Sequence, residues 1–137
     1  MKVLMAEDLQ SVREHMGNLM ADLADVELRF LAQEAEALRQ AVAQWRPDVV
    51  ILDLRMRGDI TLAVLESIKK TWPGMAVVVS AFFFEPYYRK AFLDLGADLF
   101  FDKSVEWTEL VEFLRKHRAQ DGSVAAEVRP VALASSN

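Results

Sequence analysis

Val49-Val-Ile-Leu-Asp53, followed after one helical stretch by Met75-Ala-Val-Val-Val-Ser80, decides how this chain folds. Both are short, almost unbroken apolar runs rich in β-branched residues, as strands covered on both faces of a parallel sheet must be. Each closes on a polar residue. Working outward, Lys2-Val-Leu-Met-Ala6 runs into Glu7 and Asp8, and Leu99-Phe-Phe101 stops just before Lys103. With a further run near residues 26–32, the expected strands are 2–6, 26–32, 48–53, 75–80 and 97–101.

Between the strands the apolar period changes to that of a helix. Val12, Met16, Leu19 and Leu23 mark a first buried stripe, and Leu38, Val42 and Trp45 a second. Leu62, Leu65, Ile68 and Trp72 mark a third, which stops before Pro73-Gly74. The fourth carries Phe92 and Leu95, with Pro86 in its first turn and Gly96 past its end. For the fifth, Ser104 is the expected N-cap, and Val105, Leu110, Val111 and Leu114 are expected to dock. Alternating strands and helices make an α/β domain with a doubly wound parallel sheet. The domain is expected over 1–118, where the periodicity stops, and Gln120-Asp-Gly-Ser123 opens an expected flexible C-terminal tail over 119–137 that resembles a natural chain end.

At 137 residues the chain is long enough to bury a core without staples. It has no cysteine and opens on no charged, apolar-cored leader, so a cytoplasmic location is expected. Met75 to Phe84, the longest apolar stretch, is about half the roughly 20 residues that a membrane-spanning helix requires. A net charge of −5, with no basic cluster, is the opposite of a nucleic-acid footprint. Neither membrane nor direct nucleic-acid binding is expected.

In an open parallel sheet all strand C-termini point one way, so Glu7, Asp8, Asp53, Ser80 and Lys103 should converge on one edge crevice, where such folds bind ligands. Converging carboxylates repel one another unless a cation stands among them. Mg²⁺ suits oxygen donors, with Asp8 and Asp53 as direct ligands. A hydroxyl and an ammonium aimed at the same point are equipment for the oxygens of a phosphoryl group. The pattern reads as metal-assisted phosphoryl transfer.

These residues carry a family resemblance. Glu7-Asp8, Asp53 in Asp-Leu-Arg-Met56, Ser80-Ala81 and Phe101-Asp-Lys-Ser104 stand in the order and spacing of the receiver domains of two-component response regulators, of the stand-alone (CheY-like) type. The resemblance implies a five-stranded sheet in the order 2-1-3-4-5. It also implies that Asp53 accepts a phosphoryl group from a phosphohistidine of a sensor histidine kinase or a phosphotransfer protein. Glu7, Asp8, Asp53 and the backbone carbonyl of Arg55 would hold Mg²⁺, while Ser80 and Lys103 would meet phosphoryl oxygens. Phe100 would be the switch aromatic, moving with Ser80. Helix 4, strand 5 and helix 5 would then present a changed surface to a downstream protein, or to a second copy in a homodimer. Such a domain catalyses at most its own phosphorylation and dephosphorylation.

Three departures from the family pattern stand out. Arg57 replaces a common proline, with Gly58-Asp59 after it; Ser104 replaces the proline that often follows the lysine, so a trans Lys103–Ser104 bond is expected. The third is the aromatic cluster Phe82, Phe83, Phe84, Tyr87 and Tyr88. Phe82 is expected beside Arg55 at the mouth of the site, limiting access of water to an acyl phosphate. The cluster could equally be core beneath the fourth helix or an exposed docking patch. Blander readings make Glu7 a solvated neighbour of Asp8, Phe100 plain core, His15 and His117 surface residues, and Asp98 and Asp102 turn or edge residues.

The competing enzyme reading is a Mg-dependent aspartyl-phosphate phosphatase of haloacid-dehalogenase type. That chemistry uses a second acid two residues after the nucleophile, and Arg55 stands there. A flavodoxin-like cofactor binder would need an anion cradle where Glu7 and Asp8 present carboxylates.

Overall fold

The computed structural model describes residues 1–55 and 58–128, with side chains at 1–55 and 60–118. Arg57, one of the three departures, and the part of the expected tail over 129–137 lie outside the described residues. Five strands alternate with five helices: β1 Lys2–Ala6, α1 Gln10–Met20, β2 Glu27–Leu31, α2 Ala35–Trp45, β3 Val49–Asp53, α3 Gly58–Thr71, β4 Ala76–Ala81, α4 Pro86–Asp94, β5 Leu99–Asp102 and α5 Trp107–Val128. All strands pair in parallel, in the order β2-β1-β3-β4-β5. The expected fold class and sheet order are observed.

β3 and β4 are buried at every position, which explains why their sequences do not alternate. Two apolar layers lie on opposite faces of the sheet. Leu38, Val42, Leu65, Ile68, Phe92 and Phe100 belong to one, and Met16, Leu23, Phe101, Leu110 and Leu114 to the other. Each fully buried leucine of α5 contributes about 1.5–3 kcal/mol relative to an exposed one.

Several helix details differ from the sequence reading. α5 begins at Trp107, so Ser104 is not its N-cap; Ser104 is exposed in a turn, where its N–H donates to Asp102 Oδ1 at 2.8 Å. Val105 is consequently 75% exposed and does not dock. Trp107 takes that place, edge-on to Phe101 at 5.1 Å. Leu95 is the C-cap of α4 and exposed, because the chain turns there into Gly96 at φ +113°. The backbone of α5 continues to Val128, past the residue where apolar periodicity stops. Among the described residues every peptide bond is trans, as expected for Lys103–Ser104. No helix among the described residues is long and apolar enough to cross a membrane.

Candidate functional site at the carboxyl edge of the sheet

Parallel pairing in register brings the ends of β1, β3, β4 and β5 to one edge, with Asp53 directly beside Ser80 and Ala81 beside Asp102. The groups expected to converge do so. Lys103 Nζ donates to Asp53 Oδ2 and to Glu7 Oε1, both at 2.8 Å, and all three side chains are fully buried. One ammonium thus serves two acidic side chains in a place with no solvent to share the load.

Asp53 is held from further directions. Its Oδ1 accepts from the backbone N–H of Arg55 at 3.0 Å, and its backbone carbonyl accepts from the Thr61 hydroxyl at 3.2 Å, which fixes α3 against the strand end. Ser80 is buried and its hydroxyl donates to the Leu52 carbonyl at 3.0 Å, so it waits beside the acceptor rather than on it. Lys103 is anchored at its own backbone by Ala81, whose carbonyl accepts from Lys103 N at 2.7 Å, and by the Trp107 indole, which donates to the Lys103 carbonyl at 2.7 Å.

The two acidic neighbours Glu7 and Asp8 have different surroundings. Glu7 is fully buried, not a solvated neighbour: Oε1 meets Lys103, and Oε2 accepts from Leu9 N at 3.1 Å. Asp8 is exposed at the rim, and its Oδ1 accepts from Gln33 N at 3.0 Å. The same Gln33 donates through Nε2 to Asp53 Oδ2 at 2.8 Å. Sequence reasoning missed Gln33, because nothing in its type or spacing singles out a glutamine in the β2–α2 connection.

The donor set suits a hard cation in kind, since Asp8, Asp53 and the Arg55 carbonyl offer only oxygen. It supplies few protein ligands in number. Among the described residues no group of three His, Cys, Asp or Glu side chains is placed to hold a metal ion, and Glu7 Oε1 is taken up by Lys103. Two carboxylates with waters and a phosphate oxygen are nonetheless the usual way that Mg²⁺ is held.

The aromatic cluster divides. Phe82 packs towards the Phe101 side of the core and puts its ring 4.8 Å from Lys103 Nζ; among the described residues that ammonium, not Arg55, is the cation over it. Phe84 and Tyr88 pack on the opposite layer, Phe84 meeting Phe100 edge-on at 4.9 Å. Phe83, at φ +43°, is 96% exposed, and Tyr87 also faces solvent. Core and surface readings therefore each hold for part of the cluster.

Phe100 is buried between Phe84 and Phe92. Arg89 of α4 lies 5.6 Å above the Phe100 ring and pairs with Glu106 at 2.7 Å, while Glu106 also accepts from Asp102 N at 2.9 Å. The Arg89 hydrogen bond holds the Glu106 carboxyl below the usual carboxylate range, against the opposing effect of burial. Asp98 is a structural edge residue, accepting from Lys69 Nζ at 2.7 Å and Val77 N at 2.8 Å.

Residues 3–115 match the family model described as response regulator receiver domain. The chain is 24% identical over 127 residues to the response regulator protein VraR of Staphylococcus saprophyticus, a match covering 93% of this chain and 61% of that protein. It is 25% identical over 115 residues to the response regulator GacA of Pseudomonas aeruginosa, covering 84% of this chain and 54% of that protein. The chain thus spans little more than half the length of these curated relatives. Among solved structures, a LuxR-family DNA-binding response regulator from Staphylococcus aureus superposes with a TM-score of 0.71 at 28% identity, covering 85% of this chain and 97% of that one. The signal receiver domain of a DNA-binding response regulator from Colwellia psychrerythraea gives 0.73 at 20% identity, covering 84% and 95%; at that identity it speaks for the fold.

Proposed function

The chain belongs to the response regulator receiver domain family, and from that premise we propose that Asp53 is its phosphoacceptor. The observation that carries the reading is the buried Asp53 carboxylate, held between Lys103 and the Arg55 N–H and flanked in register by Ser80. A carboxylate oxygen of Asp53 attacks phosphorus in a phosphohistidine of a sensor histidine kinase or phosphotransfer protein. The new P–O bond forms as the P–N bond breaks, and the imidazole leaves with the electron pair. Lys103 stays beside the acceptor and offsets the charge gathering on the phosphoryl oxygens. Asp8, Asp53 and the Arg55 carbonyl would hold Mg²⁺, with Glu7 setting Lys103; bound there, the ion supplies positive charge to the equatorial oxygens.

Once esterified, Asp53 carries added negative charge within reach of the Ser80 hydroxyl. Turning that hydroxyl from the Leu52 carbonyl towards the phosphoryl group frees volume next to β4 and lets Phe100 repack. Arg89 lies over that ring and grips Glu106, so the change is felt across α4, β5 and α5, the surface a downstream protein or a second copy would read. Phe82, over Lys103, restricts water at the site. The unit of function is residues 1–118, and the setting is cytoplasmic.

Incubation with a small acyl phosphate and Mg²⁺, followed by intact mass measurement, tests the reading. Wild type should gain one phosphoryl group, and Asp53→Asn none. Equal gain in both, or none in either, would overturn it.

A further inference from the structure

Gln33 touches both exposed and buried acids of the site from a distance in the fold. It sits between β2, at the sheet edge, and α2, and it reaches past β1 to β3. Its backbone N–H is spent on Asp8 Oδ1 and its side-chain amide on Asp53 Oδ2. The loop is itself fixed, because Glu34 N donates to the Ala32 carbonyl at 2.8 Å and the Glu34 carboxylate caps α2 through Ala37 N at 2.7 Å.

Counting acceptor sites gives the consequence. An ionised carboxylate offers about four lone-pair positions, two on each oxygen. In Asp53, Lys103 and Gln33 fill those of Oδ2, and Arg55 N fills one of Oδ1. Among the described residues no other donor reaches this carboxylate, which leaves one position. A cation-bound Asp53 attacking phosphorus needs two, one for the forming bond and one for the cation, while Lys103 still donates to it and before a phosphoryl oxygen is in place to draw the ammonium away. One donor must therefore let go. Lys103 is buried and pinned by Glu7, and the Arg55 donor is main chain. Gln33 is half-buried at the rim and donates to Asp53 through a flexible side chain.

Resting on the phosphoacceptor reading above, we propose that Gln33 is a positioning residue that latches the unmodified site: it holds Asp53 and Asp8 together and must release Asp53 before the carboxylate takes up a phosphoryl group and a divalent cation. The latch slows phosphorylation and weakens cation binding in the resting protein. Its removal leaves the phosphoryl chemistry to Asp53 and Lys103.

The test uses Gln33→Met, which keeps the side chain's length without donors, and Gln33→Ala. Mg²⁺ alone is titrated by calorimetry, and phosphoryl uptake from a saturating small acyl phosphate is followed by intact mass. Both variants should bind Mg²⁺ more tightly than wild type and phosphorylate about tenfold faster, the scale of one hydrogen bond to a charged acceptor. Urea unfolding shows that the variants are folded. Unchanged or weaker Mg²⁺ binding, or unchanged or slower uptake, in folded Gln33→Met overturns the latch while wild-type phosphorylation at Asp53 stands. No uptake by wild type overturns the underlying reading instead.

Discussion

Replacing Lys103 by methionine should destabilise the fold more than any other single change at the site. The ammonium is fully buried and lies 2.8 Å from both Glu7 and Asp53, themselves fully buried. Lys103→Met keeps most of the side chain's length, so the loss is electrostatic: two adjacent carboxylates remain, with no cation between them. Breaking a buried pair by removing one partner costs about 3–5 kcal/mol. Against a total stability of about 5–15 kcal/mol this is a large fraction, and for a domain of this size it lowers Tm on the order of 10–25 °C. Urea unfolding followed by tryptophan fluorescence measures it, with Trp107 reporting locally through its bond to the Lys103 carbonyl. Part of the loss should return in Lys103→Met/Asp53→Asn, because one of the stranded charges is then gone; a coupling of about 0.5–3 kcal/mol is the range for residues in direct contact. A loss under about 1 kcal/mol in the single variant, or no coupling in the double, would refute the claim that one ammonium holds the two acids.

Phe82→Ala removes the ring 4.8 Å from Lys103 Nζ and should release phosphate from phosphorylated protein several-fold faster, measured as decay of the phosphorylated mass; decay no faster than wild type rules the screen out. Glu106→Gln should show a stability deficit that depends on pH. Because the folded carboxyl is held below its ordinary value of 4.5, its contribution is present above that pH and is lost as pH falls through the lower folded value. The pair is a third exposed, so the deficit at neutral pH should be about 0.5–1 kcal/mol. Urea unfolding at neutral pH and near pH 3 would contradict the Arg89 pairing if the deficit were the same at both.

The sequence determined the strands, their order through the resemblance, and the residues at their carboxyl ends. Apolar runs that close on a polar residue place Asp53 and Ser80 at a sheet edge, since a parallel strand buried on both faces has to end where its side chains turn polar. It equally fixed Leu38, Val42, Leu65, Ile68, Leu110 and Leu114 as core, because helical periodicity is a local property. It did not fix where α5 starts: the sequence reading placed the N-cap at Ser104 and let Val105 dock, whereas Trp107 fills that space against Phe101. Nor did local sequence sort the aromatic cluster, where Phe82, Phe84 and Tyr88 turn inward and Phe83 turns out at positive φ. Only the tertiary structure decided that Glu7 belongs to Lys103 and that Gln33 spans Asp8 and Asp53. Those contacts join loops from separate βα units. Their geometry follows from how far each connection reaches across the sheet edge, which no residue's neighbours in the chain encode.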